Sequence, residues 1–373
     1  MTHLHTEMNE HDSFVFQTML TCIGNKRKLV GHIRSIVEDI RQELKKPALN
    51  IVDGFAGSTV VSRELSFMAE TLYSNDMEFY SYIMSSCFLV TPCDADKQQI
   101  EHHIHQMNNL ATDGPFTPGI ICKLYAPKTT NRIMPGERCF YTRENALIID
   151  TLRSYIDTVP EHLKYYCLAP LLTKASIHTN TAGVFKGFYK HNDVGQFGGS
   201  GEVALSRILK PIRLDVPLWS KTSFEAIPTN LDITSLISQL PDNIDIIYLD
   251  PPYNQHPYGS NYFMLNVIAH NVEPLSVSKV SGIPTGWNKS VFNAYKSAVD
   301  SMQELIQRSL EKATYILLSY NNEGLIKMDD WASLLAPYKI KKFEIPYNTY
   351  KGSRNLANRN DKVMEIMYLI SLQ

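Results

Sequence analysis

A chain of 373 residues, 44% hydrophobic and 20% charged, can bury a large core, and its length suggests two domains or one large domain carrying an insertion. A net charge of -2 excludes a uniformly basic nucleic-acid coat, so a polyanionic partner has to meet a local basic surface. The six cysteines (Cys22, Cys87, Cys93, Cys122, Cys139 and Cys167) contain no C-x-x-C pair, which excludes a zinc ribbon and a disulfide framework and leaves reduced thiols.

His102, His103 and His105 cluster locally but lack a cysteine or carboxylate at ligand spacing, so a polar surface and no metal are expected there. No apolar run approaches the roughly 20 residues of a membrane span. The start "MTHLHTEMNEHDS" lacks the pattern of an export signal, and a soluble, unexported cytoplasmic protein is expected.

In chain order, residues 49–83 read as strand, glycine-containing turn, helix, second strand ending in an acidic residue, and helix, which is one βαβ unit. A turn-rich stretch from about 146 to 240 follows, with the glycine-rich "HNDVGQFGGSGE" (191–202), and is expected to be inserted into the sheet. "NIDIIYLD" (243–250) reads as a buried strand, 291–313 as a helix, and "ATYILLSYNNEG" (313–324) as a further strand closed by a polar turn. "YKIKKFEIPY" and "KVMEIMYLI" pair across a basic segment as a final antiparallel hairpin. Strands alternating with helices predict an α/β fold with helices on both faces of the sheet.

Ligands of open α/β sheets sit beyond the carboxyl ends of the strands, and three segments converge there. In "VDGFAGST" (52–59), Asp53 ends a strand while Gly54 and Gly57 let backbone amides approach a ligand. This is neither G-x-G-x-x-G nor a phosphate loop, and the acid favours a ligand carrying positive charge. Asp76, 23 residues further on, ends the next strand and suits two ribose hydroxyls, or equally caps the following helix. The third is "DPPY" (250–253), where Pro251 and Pro252 remove two donors and fix two φ angles between Asp250 and Tyr253.

"DGFAGST" followed by "DPPY" resembles the motif pair of S-adenosylmethionine-dependent adenine-N6 DNA methyltransferases of restriction-modification systems, in their alpha arrangement. "GNKRKLV" (24–30), "NTAGVFKGFYK", "DPPYNQHPYGSNYFMLNVIA" and "YKGSRNLANRNDKVMEIMYLI" extend the resemblance over most of the chain. Phe263 stands where that family leads one to expect histidine. The resemblance implies a doubly wound, mixed seven-stranded, Rossmann-like methyltransferase sheet whose last strand is antiparallel. Residues 1–145 and 241–373 would form the S-adenosylmethionine-binding catalytic domain, and 146–240 the inserted target-recognition domain.

It further implies that Asn25 and Lys26 lie near the methionine end of the cofactor. Asp53, Phe55, Ala56, Gly57 and Ser58 would wrap it, Asp76 would hold the ribose, and Asp250 would touch both cofactor and target. "FYTRENA" (140–146) is a candidate for the cofactor's adenine pocket, although Thr142 equally suits a helix cap. At the corner, the Asp250 carboxylate and the Pro251 carbonyl would draw on the two N–H bonds of adenine N6, with Tyr253 stacked on a base flipped out of the duplex.

Lys186, Tyr189, Lys190 and His191 interleave charge with aromatic surface, and Lys351, Arg354 and Arg359 stand on the final hairpin's loop. On residues alone each is equally a solvated polar loop; with the resemblance, both are expected to contact double-stranded DNA. A cognate restriction endonuclease is the further partner it implies. An RNA adenine or protein glutamine methyltransferase, and a catalytically silent DNA-binding relative, are the competing readings.

Overall fold

The computed structural model describes residues 10–17, 20, 26–348 and 362–373. In chain order the strands are β1 (Leu49–Asp53), β2 (Ala69–Asn75), β3 (Lys190–His191), β4 (Val194–Gly195), β5 (Glu225–Thr229), β6 (Ile244–Leu249), β7 (Ala313–Asn321), β8 (Lys339–Asn348) and β9 (Lys362–Ser371). Seven of them make one sheet in the order β5-β2-β1-β6-β7-β9-β8. The neighbouring pairs from β5 to β7 are parallel, and β9 runs antiparallel to both β7 and β8. The mixed seven-stranded sheet and the terminal hairpin are therefore as expected.

Strand β6 is buried along its whole length because both faces of the sheet are covered. Ile246 and Tyr248 pack with the helix Val30–Glu43 and the short helix Val60–Leu65, whereas Ile247 and Leu249 pack with Tyr295–Leu310 and Ile233–Gln239. A third core stands off the sheet, built from Phe79–Phe88, Asp94–Asp113, Arg143–Ile156, Lys164–Ile177 and Phe263–His270.

This third core redraws the stretch 146–240. Strand β5 and helix Ile233–Gln239 fall within that range yet belong to the sheet and its cover, and the chain leaves the sheet earlier, between β2 and β5. The stretch also holds the 14-residue helix Lys164–Ile177 and most of Arg143–Ile156 where turns were expected. Lys164–Ile177 is apolar nearly all round and contains Pro170, so it shows no one-sided helical period. The glycine-rich segment forms the tight β3–β4 hairpin, with Asn192 and Asp193 at positive φ in its turn.

Among the described residues no helix is long and apolar enough to cross a membrane.

Candidate active site

Asn75, at the end of β2, joins three strand ends. Its Nδ2 donates to the carbonyls of Gly54 and Leu231, and its Oδ1 accepts from Leu231 N and Thr229 Oγ1. The turn after β1 is thereby fastened between β2 and β5. Gly54 has no space for a Cβ, which would come within 2.8 Å of Ile233 Cδ1, so it serves close packing of the protein on itself. Gly57 takes φ +53, a conformation that costs glycine little, and donates its N–H to Asp76 Oδ2 at 2.8 Å.

These strand ends border a cleft. Lys26, Phe55, Ala56, Gly57, Ser58, Asp76, Asp250 and Pro252, all named as site residues from the sequence, line it. Asp53 does not. It is fully buried beneath the turn, where its Oδ2 accepts from Ser62 Oγ at 2.6 Å, and burial pushes its carboxyl up to about 7. "FYTRENA" is also absent from the cleft wall, and Thr142 caps the helix Arg143–Ile156 by accepting from Asn145 N. Asn25 lies outside the described residues.

Asp76 has both oxygens engaged, on Gly57 N and on Glu78 N, so it also supports the start of the helix Phe79–Phe88. Glu78 was missed by sequence reasoning. It borders the cleft beside Asp76, accepts from Asn266 Nδ2 at 2.7 Å, and is pushed up to about 7 by burial and by the neighbouring Asp76 charge. Its signal was a second acid two residues after Asp76, indistinguishable from a polar helix start.

At the corner after β6, Lys26 Nζ lies 2.8 Å from Asp250 Oδ1 and 3.1 Å from Glu365 Oε1. Burial alone would lower the Lys26 pKa, but the two carboxylates raise it well above the ordinary lysine value, so the ammonium stays charged. Burial pushes Asp250 up to about 6, against the pull of Lys26. Pro251 is buried, and Tyr253 is half-buried at 6.3 Å from Tyr320, with its carbonyl accepting from Leu325 N. Phe263 is a core residue between Tyr125, Phe140 and Phe185.

The wall fits an S-adenosylmethionine molecule. Acids outnumber bases on it, which favours a cation, and Phe55, Tyr80 and Tyr258 supply aromatic surface. Two of its residues, Tyr248 and Asn293, carry buried side-chain oxygens with no hydrogen-bond partner among the described residues, as a site awaiting a polar ligand requires.

Of the expected DNA-binding residues, Lys186, Lys190 and His191 are exposed. Tyr189 is half-buried against the small core of Cys139, Phe197 and Ile208, so packing occupies much of its ring. The segment stands beside the corner: Phe185 N donates to Asn261 O at 2.7 Å, and Lys186 Nζ lies 3.4 Å from His256 Nδ1. Lys351, Arg354 and Arg359 lie outside the described residues.

An open sheet with one reversed strand, ending in a cation-matched cleft and a rigid Asp-Pro-Pro-Tyr corner, defines an S-adenosylmethionine-dependent methyltransferase directed at amino groups. The sequence matches, over residues 23–329, the family described as D12 class N6 adenine-specific DNA methyltransferase. The chain belongs to that family, and S-adenosylmethionine is its methyl donor.

It is 29% identical to Type II methyltransferase M.CviAII of Paramecium bursaria Chlorella virus 1, across 94% of this chain and 98% of the relative. It is 27% identical to Type II methyltransferase M.NlaIII of Neisseria lactamica, across 91% and 95%. It is 28% identical to Modification methylase StsI of Streptococcus sanguinis, across 93% of this chain but only 51% of the relative. The chain thus spans about half of StsI and nearly all of the other two. None of these favours an RNA, protein or silent reading.

Proposed function

We propose that the chain methylates N6 of an adenine flipped out of duplex DNA, with the corner 250–253 as the amine-holding device. S-adenosylmethionine supplies a methyl carbon made electrophilic by its sulfonium. Adenine N6 is a poor nucleophile because its lone pair is delocalised into the ring. The Asp250 carboxylate accepts one N–H and the Pro251 carbonyl the other, so the nitrogen pyramidalises and its lone pair turns toward the cleft. Both acceptors are pre-positioned, Asp250 by Lys26 and Pro251 by its ring, so little reorganisation is needed as the N–C bond forms. The S–C bond breaks with its electron pair left on sulfur, and the methylated nitrogen gives up its extra proton to water.

Tyr253 holds the extruded base by stacking, which offsets part of the few kcal/mol of unstacking. The methionyl end lies along Lys26, Phe55, Ala56, Gly57 and Ser58, and the ribose meets Asp76. The unit between β2 and β5 reads the recognition sequence, with Lys186, Lys190 and His191 on the phosphates, joined by Lys351, Arg354 and Arg359. A companion endonuclease that cuts the same site is the partner such a modification enzyme serves, in the cytoplasm where the DNA is.

The observation that carries this reading is the placement of Asp250, held by Lys26 at 2.8 Å on the border of the cleft. Mapping modified adenines in DNA from cells expressing the protein tests it. N6-methyladenine within one short sequence motif is expected, and unmodified DNA from cells with abundant folded protein would refute it.

A further inference from the structure

We propose that Glu365 is a positioning residue of this site. With Lys26 it holds Asp250 in a buried three-charge cluster whose one surplus negative charge matches a sulfonium and disfavours the neutral thioether formed by transfer. This rests on the reading that Asp250 borders the methyl donor.

Glu365 arrives from β9, where it pairs with Asn321 of β7 and Ile345 of β8 at the end of the sheet that carries the cleft. Its side chain is buried, like that of Lys26. Lys26 Nζ bridges Asp250 Oδ1 at 2.8 Å and Glu365 Oε1 at 3.1 Å, and Ser319 Oγ of β7 donates to the same Glu365 oxygen at 2.7 Å. An Asp250–Lys26 pair alone would be neutral. Adding a second buried carboxylate is costly unless something cationic balances it. Among the described residues, the other titratable groups beside the cluster are Tyr248, Tyr253 and Asp53, and none of these supplies positive charge.

The charge accounting follows the reaction. Before transfer, the sulfonium balances the surplus charge of the three-residue cluster. As the N–C bond forms and the S–C bond breaks, positive charge passes from sulfur to nitrogen and leaves as a proton to water. The thioether then faces an unmatched negative charge, which loosens its hold.

Calorimetric binding of three probes to the full chain tests this: S-adenosylmethionine, the amine-bearing cationic analogue sinefungin, and neutral S-adenosylhomocysteine. In Glu365→Gln the cluster becomes neutral, and the preference for the two cations over S-adenosylhomocysteine should fall on the order of tenfold. In the double variant Glu365→Gln with Lys26→Met, Asp250 alone restores the surplus charge, and the preference should return to within about threefold of the unaltered protein. A purely structural role predicts the opposite, with the double variant worse than the single.

An unchanged preference in folded Glu365→Gln, or equal weakening of all three probes, overturns the proposal. Should circular dichroism show Glu365→Gln unfolded, the double variant decides: retained preference supports the charge match and lost preference overturns it. Failure of the unaltered protein to bind S-adenosylmethionine would instead defeat the reading of the cleft itself.

Discussion

The backbone N–H of Gly57 donates to Asp76 Oδ2 at 2.8 Å, so the turn after β1 hangs from the end of β2. Asp76 thus builds the cleft as well as facing into it. Its other oxygen accepts from Glu78 N, which couples the turn to the start of the next helix. Asp76→Ala is expected to weaken S-adenosylmethionine binding at least tenfold and to cost about 1–2 kcal/mol of stability, since two backbone donors lose their acceptor. Asp76→Asn keeps an acceptor and should lose less stability than binding. Calorimetry and denaturant melts of both variants separate the two effects, and equal losses in both assays would argue against the double role.

Asp250→Asn keeps the shape of the corner but exchanges a charged acceptor for a weaker one. The rate of methyl transfer should drop by about two to three orders of magnitude, as when an oriented electrostatic group is removed from an active site. Duplex binding should be nearly unchanged, because phosphate contacts dominate it. Single-turnover kinetics beside filter binding measure both quantities. Loss of duplex affinity with retained turnover would reverse the assigned role.

Stacking, not the phenol hydroxyl, is the proposed contribution of Tyr253. Tyr253→Phe should stay within about twofold of the unaltered rate, while Tyr253→Ala should lose about tenfold or more, from the 1–3 kcal/mol typical of a base on an aromatic ring. Fluorescence of 2-aminopurine at the target position reports whether the base still leaves the duplex.

Burial raises the carboxyls of Asp53 and Glu78 to about 7 and that of Asp250 to about 6, and it raises Asp76 as well. A raised carboxyl means that the folded state keeps protons which the unfolded chain has already shed. Their contribution to stability is present in full below the ordinary carboxyl range and is lost as pH rises through about 6 to 7. The melting temperature should therefore fall between about pH 5 and 8 from this source, while affinity for the cationic methyl donor rises over the same interval. Melts and calorimetry across that range check both signs, and a donor affinity that fell with pH would contradict the cation match.

Lys186 is exposed beside the corner, and Lys190 is exposed on β3 with its Nζ 5.2 Å above the Phe188 ring. Replacing either by alanine should weaken binding to all duplexes alike and reduce the slope of log affinity against log salt by about 1. A change confined to the cognate site would mean that the lysine reads a base.

The sheet strands and the Asp-Pro-Pro-Tyr corner were legible in the sequence because they are written locally: apolar runs of strand length, glycine at a turn, two prolines after a carboxylate. So was the final antiparallel pairing of β8 with β9. The local patterns also placed Asp76 and Asp250 at one end of the sheet, and the family resemblance added Lys26. They gave Asp53 a ligand role that burial denies it, and they hid the helix Lys164–Ile177, whose apolar surface on every side carries no period to detect.

What only the tertiary structure decided is which distant segments meet. Strand β5 returns to the sheet edge through pairing with β2, after a helical unit of its own. Glu365 reaches Lys26 and Asp250 because β9 inserts between β7 and β8. A carboxylate inside an apolar strand states no partner in the sequence, since its charge is acceptable only once folding has set an ammonium beside it.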